Sequence, residues 1–213
     1  MQTREKVFGV TCPVCKHSFE TELNTAIFSS TADREKILNK EFGELLCPSC
    51  GHKFILNYRF AYTDDEIKFM IVNDPKFVDS KARMIFKSSL SLLDMAHKNE
   101  QDKYLTRMTS DLDEVREKIV IFENYLSDKA VELMKYILLE REELSLGHDD
   151  VDYFRLENDN KFHIVTKDGN EYTLGFVREV YDSLLSRYPK LLEIDKAEKV
   201  DKEWAYNFLK DVK

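Results

Sequence analysis

The first part of the chain alternates apolar and polar residues in short runs. Residues 19–23 and 54–60 follow the period of two that is typical of a half-buried β-strand. Residues 31–38 lie between these runs and predict a short helix. The acidic turn at 63–66 leads into the apolar run 67–72, which predicts an antiparallel hairpin. Short strands with tight connections indicate a small β-rich module.

The pattern changes to a helical period after Asp74-Pro75. Proline pushes the residue before it out of helical geometry, so we predict a domain boundary at this dipeptide. Residues 103–108 fit a strand and a helix equally well. Ser110 and Asp113 resemble a capping box at the start of a helix. Apolar residues recur every three or four positions in five segments, and the predicted helices are 82–98, 110–126, 127–143, 176–188 and 201–209.

Three short strands interrupt the helices in the last third of the chain. They are predicted at 153–157, 162–166 and 171–174, and Asp168-Gly169 between the last two is a strong hairpin signal. We interpret the apolar stripes of the helices as hydrophobic core, since such stripes are more often core than cofactor pocket. These segments predict a mostly helical domain that contains a small antiparallel β-meander.

An eight-residue pattern occurs twice and contains every cysteine of the protein. Residues 12–19 read Cys-Pro-Val-Cys-Lys-His-Ser-Phe, and residues 47–54 read Cys-Pro-Ser-Cys-Gly-His-Lys-Phe. Two Cys-x-x-Cys pairs supply four thiolates, which is the ligand set of a closed tetrahedral zinc site. We therefore predict one structural Zn²⁺ with four ligands: Cys12, Cys15, Cys47 and Cys50.

Each repeat has the composition of a zinc knuckle, a tight turn that directs two sulfur atoms at one point. The proline after the first cysteine fixes φ near the value that the turn needs. The residue after the second cysteine needs a positive φ, which glycine adopts without strain. Gly51 therefore suits its place, whereas Lys16 carries a Cβ penalty of roughly 1 kcal/mol. We expect the first knuckle to be the more strained of the two.

Other uses of the four thiols are less compatible with the sequence. Iron in a rubredoxin-like site is the main competing metal. Disulfides are disfavoured because residues 1–5 lead into no apolar signal segment, which indicates a reducing, cytoplasmic compartment. A redox role needs a low-pKa thiolate at the start of a helix in a βαβ unit, and neither repeat has that context.

The histidine and the phenylalanine of each repeat are assigned structural roles. His17 and His52 lie two residues beyond a cysteine, but four sulfurs already complete a tetrahedron, so we interpret both imidazoles as surface groups. Phe19 and Phe54 are expected to cover the two sides of the site. A four-coordinate zinc has no open position for water or substrate. The metal therefore predicts a scaffold, and we assign no catalytic residue.

These motifs resemble the CpXC domain family of bacteria and archaea, in which paired Cys-Pro-x-Cys motifs near the N-terminus precede a long helical region. Beyond the cysteines, residues 117–119, 126–128, 132–135 and 200–204 are similar to later segments of that family. The resemblance implies a zinc-ribbon-like fold. It implies no activity, because the family is functionally uncharacterised.

Composition limits the classes of partner. The chain has 213 residues and contains no run approaching the roughly 18–20 apolar residues of a membrane span, so we predict a soluble cytoplasmic protein without a membrane partner. Its 32 basic and 40 acidic side chains give a net charge of −8 and an acidic isoelectric point. This charge disfavours binding to nucleic acid, which usually requires a positive patch.

Two further groups of residues carry candidate chemistry. Three aromatics beside a cation would suit single-stranded nucleic acid or a peptide, although alternating aromatics on a strand are more often half core and half surface. This first group is Tyr58, Arg59, Phe60 and Tyr62. The second is His148 with the two aspartates that follow it, which suits a metal ligand or a base, although such a cluster is more often a solvated loop.

Together these patterns predict an α+β protein in two parts. Residues 1–74 form a zinc ribbon with antiparallel hairpins, and residues 75–213 form a mostly helical domain with a meander near 153–174. The predicted function is that of a non-enzymatic protein-interaction or regulatory module that binds Zn²⁺ and an unknown protein partner. Three alternatives stay open: an enzyme with its site near His148, a nucleic-acid-binding ribbon, and a homo-oligomer joined by the amphipathic helices of 112–138.

Overall fold

The computed structural model describes residues 4–77, 84–88, 104–141, 144, 146–193 and 199–212. The chain divides into two compact units, Met1–Val115 and Arg116–Lys213. Helices and antiparallel hairpins occur in both units. The mixed α+β content predicted from the sequence is therefore confirmed.

The N-terminal unit is rich in short strands. In chain order these are β1 (Glu5–Thr11), β2 (Ser18–Asn24), β3 (Ala26–Phe28), β4 (Glu44–Leu46), β5 (Lys53–Ile55), β6 (Phe60–Asp64), β7 (Phe69–Asn73) and β8 (Leu105–Thr109). Helix α1 (Ala32–Leu38) lies between β3 and β4, as predicted. Residues 84–88 are helical and belong to the helix predicted over 82–98; the rest of that segment lies outside the described residues.

Two antiparallel hairpins carry the cysteine repeats. β1 pairs with β2 along its full length, and β4 pairs with β5. The connection in the first hairpin contains residues 12–17, and the connection in the second contains residues 47–52. Each connection therefore begins with the first cysteine of a pair and contains the second.

A mixed four-stranded sheet with the order β3-β6-β7-β8 follows the hairpins. β6 and β7 are antiparallel, which confirms the predicted hairpin, whereas the pairs β3–β6 and β7–β8 are parallel. Ile27, Tyr62 and Ile71 are direct neighbours in the register of three adjacent strands, and all three are fully buried. One face of the sheet therefore lies in the core of the unit.

The run predicted as one strand over 54–60 is divided in the structure, because β5 ends and β6 begins within it. Asn57 lies between the two strands, and its Nδ2 donates to Ser110 O at 2.8 Å. Its Oδ1 accepts a hydrogen bond from Asn73 Nδ2 at 2.7 Å. These side-chain bonds hold the chain where it leaves the hairpin for the sheet, and an alternating pattern does not indicate them.

β8 extends the N-terminal unit beyond the boundary that the sequence predicts after residue 74. The segment 103–108, which fitted a strand and a helix equally, contributes most of β8, and this strand lies parallel to β7. Thr109 Oγ1 donates to Asn73 Oδ1 at 3.1 Å between the two strands, and both residues are buried. The division between the compact units accordingly falls after Val115.

The C-terminal unit combines helices with a three-stranded meander. Helix α2 (Leu112–Glu123) begins before the division and continues into this unit. The further elements are α3 (Asp128–Leu139), β9 (Val151–Leu156), β10 (Lys161–Thr166), β11 (Glu171–Gly175), α4 (Arg178–Arg187), a 3₁₀ helix (Pro189–Leu192) and α5 (Lys202–Asp211). The sheet order is β11-β10-β9 with both pairs antiparallel, which confirms the predicted meander.

The first turn of α2 differs from the predicted capping box of Ser110 and Asp113. Asp111 Oδ1 accepts a hydrogen bond from Glu114 N at 2.8 Å, and Glu114 Oε2 accepts one from Ser110 N at 2.8 Å. The helix begins at Leu112, so Asp111 rather than Ser110 is the N-cap, and Glu114, three residues after it, takes the place predicted for Asp113.

The apolar stripes of α2 and α3 form core, as predicted. Val115, Ile119 and Leu133 are fully buried. These stripes are therefore covered within the chain itself. Among the residues that the structure describes, no helix combines the length and the apolar character needed to cross a membrane.

Candidate metal centre

The first cysteine pair lies on a tight turn closed by two backbone hydrogen bonds. Cys12 N donates to His17 O at 2.9 Å, and Lys16 N donates to Cys12 O at 3.1 Å. Lys16 adopts a φ of 61°, in the left-handed region that the sequence predicts for this position. Its Nζ donates to Pro13 O at 2.8 Å, so the lysine side chain folds back over the turn.

The second cysteine pair repeats the same turn. Cys47 N donates to His52 O at 3.0 Å, and Gly51 N donates to Cys47 O at 2.9 Å. Gly51 has a φ of 69°. The positive φ predicted after the second cysteine is therefore present in both knuckles. Because glycine has no Cβ, we expect the second knuckle to avoid the steric cost that Lys16 carries in the first one.

The two knuckles bring all four sulfur atoms together, each within 4.8 Å of the others. The Sγ atoms of Cys12 and Cys50 are 3.8 Å apart, and those of Cys15 and Cys47 are 3.5 Å apart. A tetrahedral site with metal–sulfur bonds of about 2.3 Å has sulfur–sulfur edges of about 3.8 Å, whereas a disulfide has about 2.05 Å. The four free thiols therefore fit the ligand set of one metal ion.

The thiols of Cys12 and Cys50 have pKa values shifted in opposite directions. The pKa of Cys12 lies at about 6: burial raises it, but hydrogen bonds from the backbone of Cys15 and Val14 outweigh burial. The pKa of Cys50 lies at about 12: the backbone of His52 lowers it, but contact with the other thiols, Cys15 first, outweighs that bond. A cation at the centre removes this competition because it neutralises the neighbouring thiolates.

The histidine and phenylalanine of each repeat stack on one another. The rings of His17 and Phe19 have centroids 6.4 Å apart at an angle of 12°, and those of His52 and Phe54 are 6.3 Å apart at 10°. Both imidazoles are exposed and lie outside the group of four cysteines that could hold a metal ion. The sequence signal for this stacking was the matching position of both residues in the two repeats.

The aromatics predicted to be half surface are all core. Tyr58, Phe60 and Tyr62 are at most 5% exposed. Phe42 packs on Tyr58 and Phe60 with centroid distances of 5.7 and 4.9 Å, so the three rings form one cluster. Arg59 is exposed and lies 3.7 Å from a carboxylate oxygen of Asp74. These aromatic faces are unavailable for stacking on the bases of a nucleic acid.

A buried ionic network in the C-terminal unit was not anticipated from the sequence. Lys118 Nζ lies 2.8 Å from Asp128 Oδ2 and donates to Val200 O at 3.0 Å. The Lys118 and Asp128 side chains are only 5% and 2% exposed. The network joins α2 to α3 by charge, at positions that the helical period predicts to face solvent.

Lys135 is the second centre of this network. Its Nζ lies 3.1 Å from Glu117 Oε1 and 2.6 Å from Glu132 Oε2, and it donates to Phe154 O at 3.3 Å. Burial raises the pKa of the Glu132 carboxyl, although Lys135 opposes that shift. The sequence feature that could have indicated this network is the set of charged residues within 117–119, 126–128 and 132–135.

His148 is less exposed than a solvated loop residue. Its side chain is 18% exposed, and its Nε2 lies 2.6 Å from Glu140 Oε1. Its ring packs on Tyr136 with a centroid distance of 4.1 Å. A cavity of ≈ 120 Å³ lies beside it, between α3, β9 and the start of α5, and is lined by Glu132 and Lys135 as well. The solvated-loop interpretation therefore holds for Asp149, whose side chain is fully exposed, but not for the imidazole of His148.

The fold and the centre define a class: an α+β protein in which two similar knuckles, each on its own hairpin, bring together four cysteines that could hold one metal ion. The chain belongs to the CpXC protein family, whose model matches residues 10–135, more than half of the sequence. That range contains all four cysteines and most of the charged residues of the buried network. No curated protein and no solved structure matches the chain.

Proposed function

We propose that the protein is a zinc-dependent, non-enzymatic module that binds a partner protein through the β4–β5 hairpin. The observation that carries this proposal is the exposure of Leu46 and Ile55, which are 59% and 52% exposed. In the register, Leu46 faces Lys53 and Ile55 faces Glu44. All four side chains therefore lie on one face of the hairpin, next to the second knuckle.

The composition of this face suits a protein interface. The two large apolar side chains lie on one diagonal of this face, and the salt bridge of Lys53 Nζ with Glu44 Oε1 at 2.7 Å lies on the other. Exposed large apolar side chains beside polar groups fit the mixed composition of such interfaces. Val7 and Val14 are also exposed on the first hairpin, at 51% and 61%. A net charge of −8 and the buried aromatic cluster argue against a nucleic-acid partner.

Zinc is the metal that this proposal requires. Zn²⁺ has no redox chemistry, prefers tetrahedral thiolate sites, and in a closed Cys₄ site contributes only to structure. Its role here is to hold the turns of β1–β2 and β4–β5 in one place and thereby to fix the face that carries Leu46 and Ile55. Native mass spectrometry of the purified chain should show the added mass of one zinc ion. A bound iron ion would contradict this assignment.

Site-specific crosslinking tests the interface. A photoreactive amino acid at position 55 should capture one defined partner in the source cells. The same group at Leu192, which is 62% exposed and lies in the other unit, should not capture it. Equal capture from both positions would contradict the proposal.

Affinity for the purified partner tests the same surface quantitatively. Leu46→Asp with Ile55→Asp should raise Kd by about tenfold or more, because a charge replaces apolar contact area at the centre of the interface. Removal of zinc should raise Kd in the same way. Leu192→Asp should leave Kd unchanged. An unchanged Kd in the double variant would exclude this face as the binding surface.

A second candidate function is catalysis with His148 as a general base. The contact between the His148 imidazole and the Glu140 carboxylate favours this function. With a proton on Nε2 shared with Glu140, the Nδ1 atom is left as an acceptor. Nδ1 is buried and has no hydrogen-bond partner among the described residues. A carboxylate-oriented imidazole at the edge of a cavity is the arrangement of a general base.

A screen of ester and phosphoester substrates tests this second function. Any turnover should be abolished by His148→Asn and lowered by Glu140→Gln, which removes the charge that orients the imidazole. His163→Asn is the matched control, since His163 lies on β10, is 41% exposed and does not line the cavity. Activity that is absent, or that persists in His148→Asn, would exclude His148 as a base for these reactions.

A further inference from the structure

A cavity of ≈ 700 Å³ lies in the N-terminal unit, away from the four cysteines. It is bordered by the start of β1, by β6 and β7, and by the helical residues 84–88. This volume falls within the range of about 300–1,000 Å³ that is typical of small-molecule sites. None of the residues assigned to the metal centre or to the proposed interface lines it.

The wall of the cavity is apolar. Ala61 and Val72 are direct partners in the pairing of β6 with β7, and Met70 lies two residues from Val72 on the same face. Val72 packs against the buried cluster that contains Phe86. Phe8 on β1 also lines the cavity. These side chains offer a continuous surface to a hydrocarbon group.

The rim of the cavity is basic. Arg4, Lys6 and Arg59 line it, against one carboxylate, that of Glu5. Within the part of the chain that the structure describes, neither Arg4 nor Lys6 forms a salt bridge, whereas Arg59 lies 3.7 Å from Asp74. A local excess of cations in a protein of net charge −8 marks this rim as distinct from the average surface.

Backbone hydrogen bonds fix the basic rim against the apolar wall. Thr25 donates to Arg4 O from both its N, at 2.7 Å, and its Oγ1, at 2.8 Å. The carbonyl of Thr25 in turn accepts a hydrogen bond from Ala61 N at 2.9 Å. Lys6 Nζ lies 5.8 Å from the centroid of the Phe8 ring, which holds the ammonium group at the edge of the apolar surface.

We propose that this cavity binds a medium-chain carboxylate. The hydrocarbon chain lies on Ala61, Met70 and Val72, and the carboxylate pairs with Arg4 and Lys6. The match is one of charge and polarity: a single anion fits the cationic rim, and an apolar tail fits the wall behind it. This inference is independent of the proposed protein interface, because the two surfaces share no residue.

Calorimetric titration of the full, zinc-loaded chain tests the proposal. Dodecanoate, kept below its micelle concentration, should bind at one site per chain. Dodecylammonium has the same tail with the opposite charge, and its Kd should be about tenfold higher or more, because its head group meets the same cations. Equal affinity for the two amphiphiles, or no binding of dodecanoate, would overturn the proposal.

Variants separate the roles of rim and wall. Lys6→Glu should raise the Kd of dodecanoate by about tenfold, and Ala61→Leu should raise it as well by filling the cavity. Lys167→Glu is the matched control, because it makes the same charge change at an exposed position of the other unit and should leave Kd unchanged. Circular dichroism checks that each variant is folded, and Lys6→Met tests the charge with the aliphatic stem retained.

Two results of this series would overturn the proposal. In the first, Lys6→Glu and Lys6→Met bind dodecanoate as tightly as the wild-type chain, so that the rim is not the recognition element. In the second, an acidic amphipathic peptide displaces dodecanoate and binds more tightly, which would assign the cavity to a peptide partner instead.

Discussion

Lys16 occupies the position at which the two cysteine repeats differ in the conformational free energy of the backbone. Both knuckles require a positive φ there, and the residue is lysine in one and glycine in the other. The lysine side chain recovers part of the cost through its hydrogen bond to Pro13 O. The exchange of glycine for lysine therefore combines a backbone effect with a side-chain effect, and the two can be separated by substitution.

We predict that Lys16→Gly is more stable than Lys16→Ala by about 1 kcal/mol, since both lose the side-chain bond and only glycine relieves the left-handed strain. Denaturant unfolding of the zinc-loaded variants measures the difference. The reverse change Gly51→Ala should destabilise the second knuckle by a similar amount. A Cβ at this position would meet no atom within 4 Å, so the cost comes from the positive φ and not from a steric clash. Equal stabilities of the two Lys16 variants would contradict the strain argument.

Glu132 is a second residue whose environment sets a measurable property. Burial raises the pKa of its carboxyl above the ordinary value. This carboxyl therefore ionises at a lower pH in the unfolded chain than in the folded chain. The folded state then binds more protons than the unfolded state as pH rises through this range. Stability from this group is therefore complete below the unfolded pKa and is lost above it.

We predict that wild-type stability falls relative to Glu132→Gln as pH rises above about 4.3, by at most about 1.4 kcal/mol per pH unit. Glutamine keeps the shape of the side chain but does not ionise, so the difference between the two curves isolates this carboxyl. Urea unfolding at a series of pH values measures it. Parallel curves would show that Glu132 has the same pKa in both states.

At the level of elements, α2 and α3 carry an unusual combination of apolar stripe and buried charge. Their helical period predicted the helices and the core positions Val115, Ile119 and Leu133. It did not predict the pairing of Lys118 with Asp128, because a periodicity argument treats every charge as solvent-facing. The partners become visible only when two helices are placed side by side.

We predict that Lys118→Met and Asp128→Asn each destabilise the protein by about 3–5 kcal/mol, because each leaves a buried group without its charged partner. The double variant should lose less unfolding free energy than the sum of the losses in the two single variants, by up to about 3 kcal/mol. Thermal and urea unfolding measure this cycle. The exposed pair of Arg178 and Asp182 is the control, and Arg178→Met should cost less than about 1 kcal/mol. Additive effects at Lys118 and Asp128 would contradict a direct coupling.

Sequence reasoning was reliable where an element is defined by local pattern. The meander followed from three short runs and the Asp168-Gly169 turn, and the metal centre followed from the repeated cysteine pairs. It was unreliable where the partner is distant in the chain. The parallel pairing of β8 with β7 brings the segment 105–109 beside 69–73, and only that non-local contact decides that the segment is a strand.

At the level of the molecule, the metal centre joins segments that are far apart in the sequence. One pair of cysteines follows β1 and the other follows β4, and β4 and β5 form a hairpin with only three residues in each strand. A hairpin this short is marginal in water without further support. A metal ion held by the four cysteines would supply this support by closing the chain between the first and the second knuckle.

We predict that removal of the metal by a chelator under reducing conditions loosens both knuckles and leaves the meander intact. The amides of Cys12 and Cys47, which close the two turns, should exchange hydrogen about tenfold faster or more, because their hydrogen bonds lose the tether that holds the turns. Amides of β10 lie in the other compact unit, between two paired strands, and should keep their exchange rates. Hydrogen–deuterium exchange with mass spectrometry resolves both regions, and added Zn²⁺ should restore the slow rates. Faster exchange throughout the chain would mean that the metal stabilises both units together, and unchanged exchange at Cys12 and Cys47 would mean that the knuckles hold their turns without it.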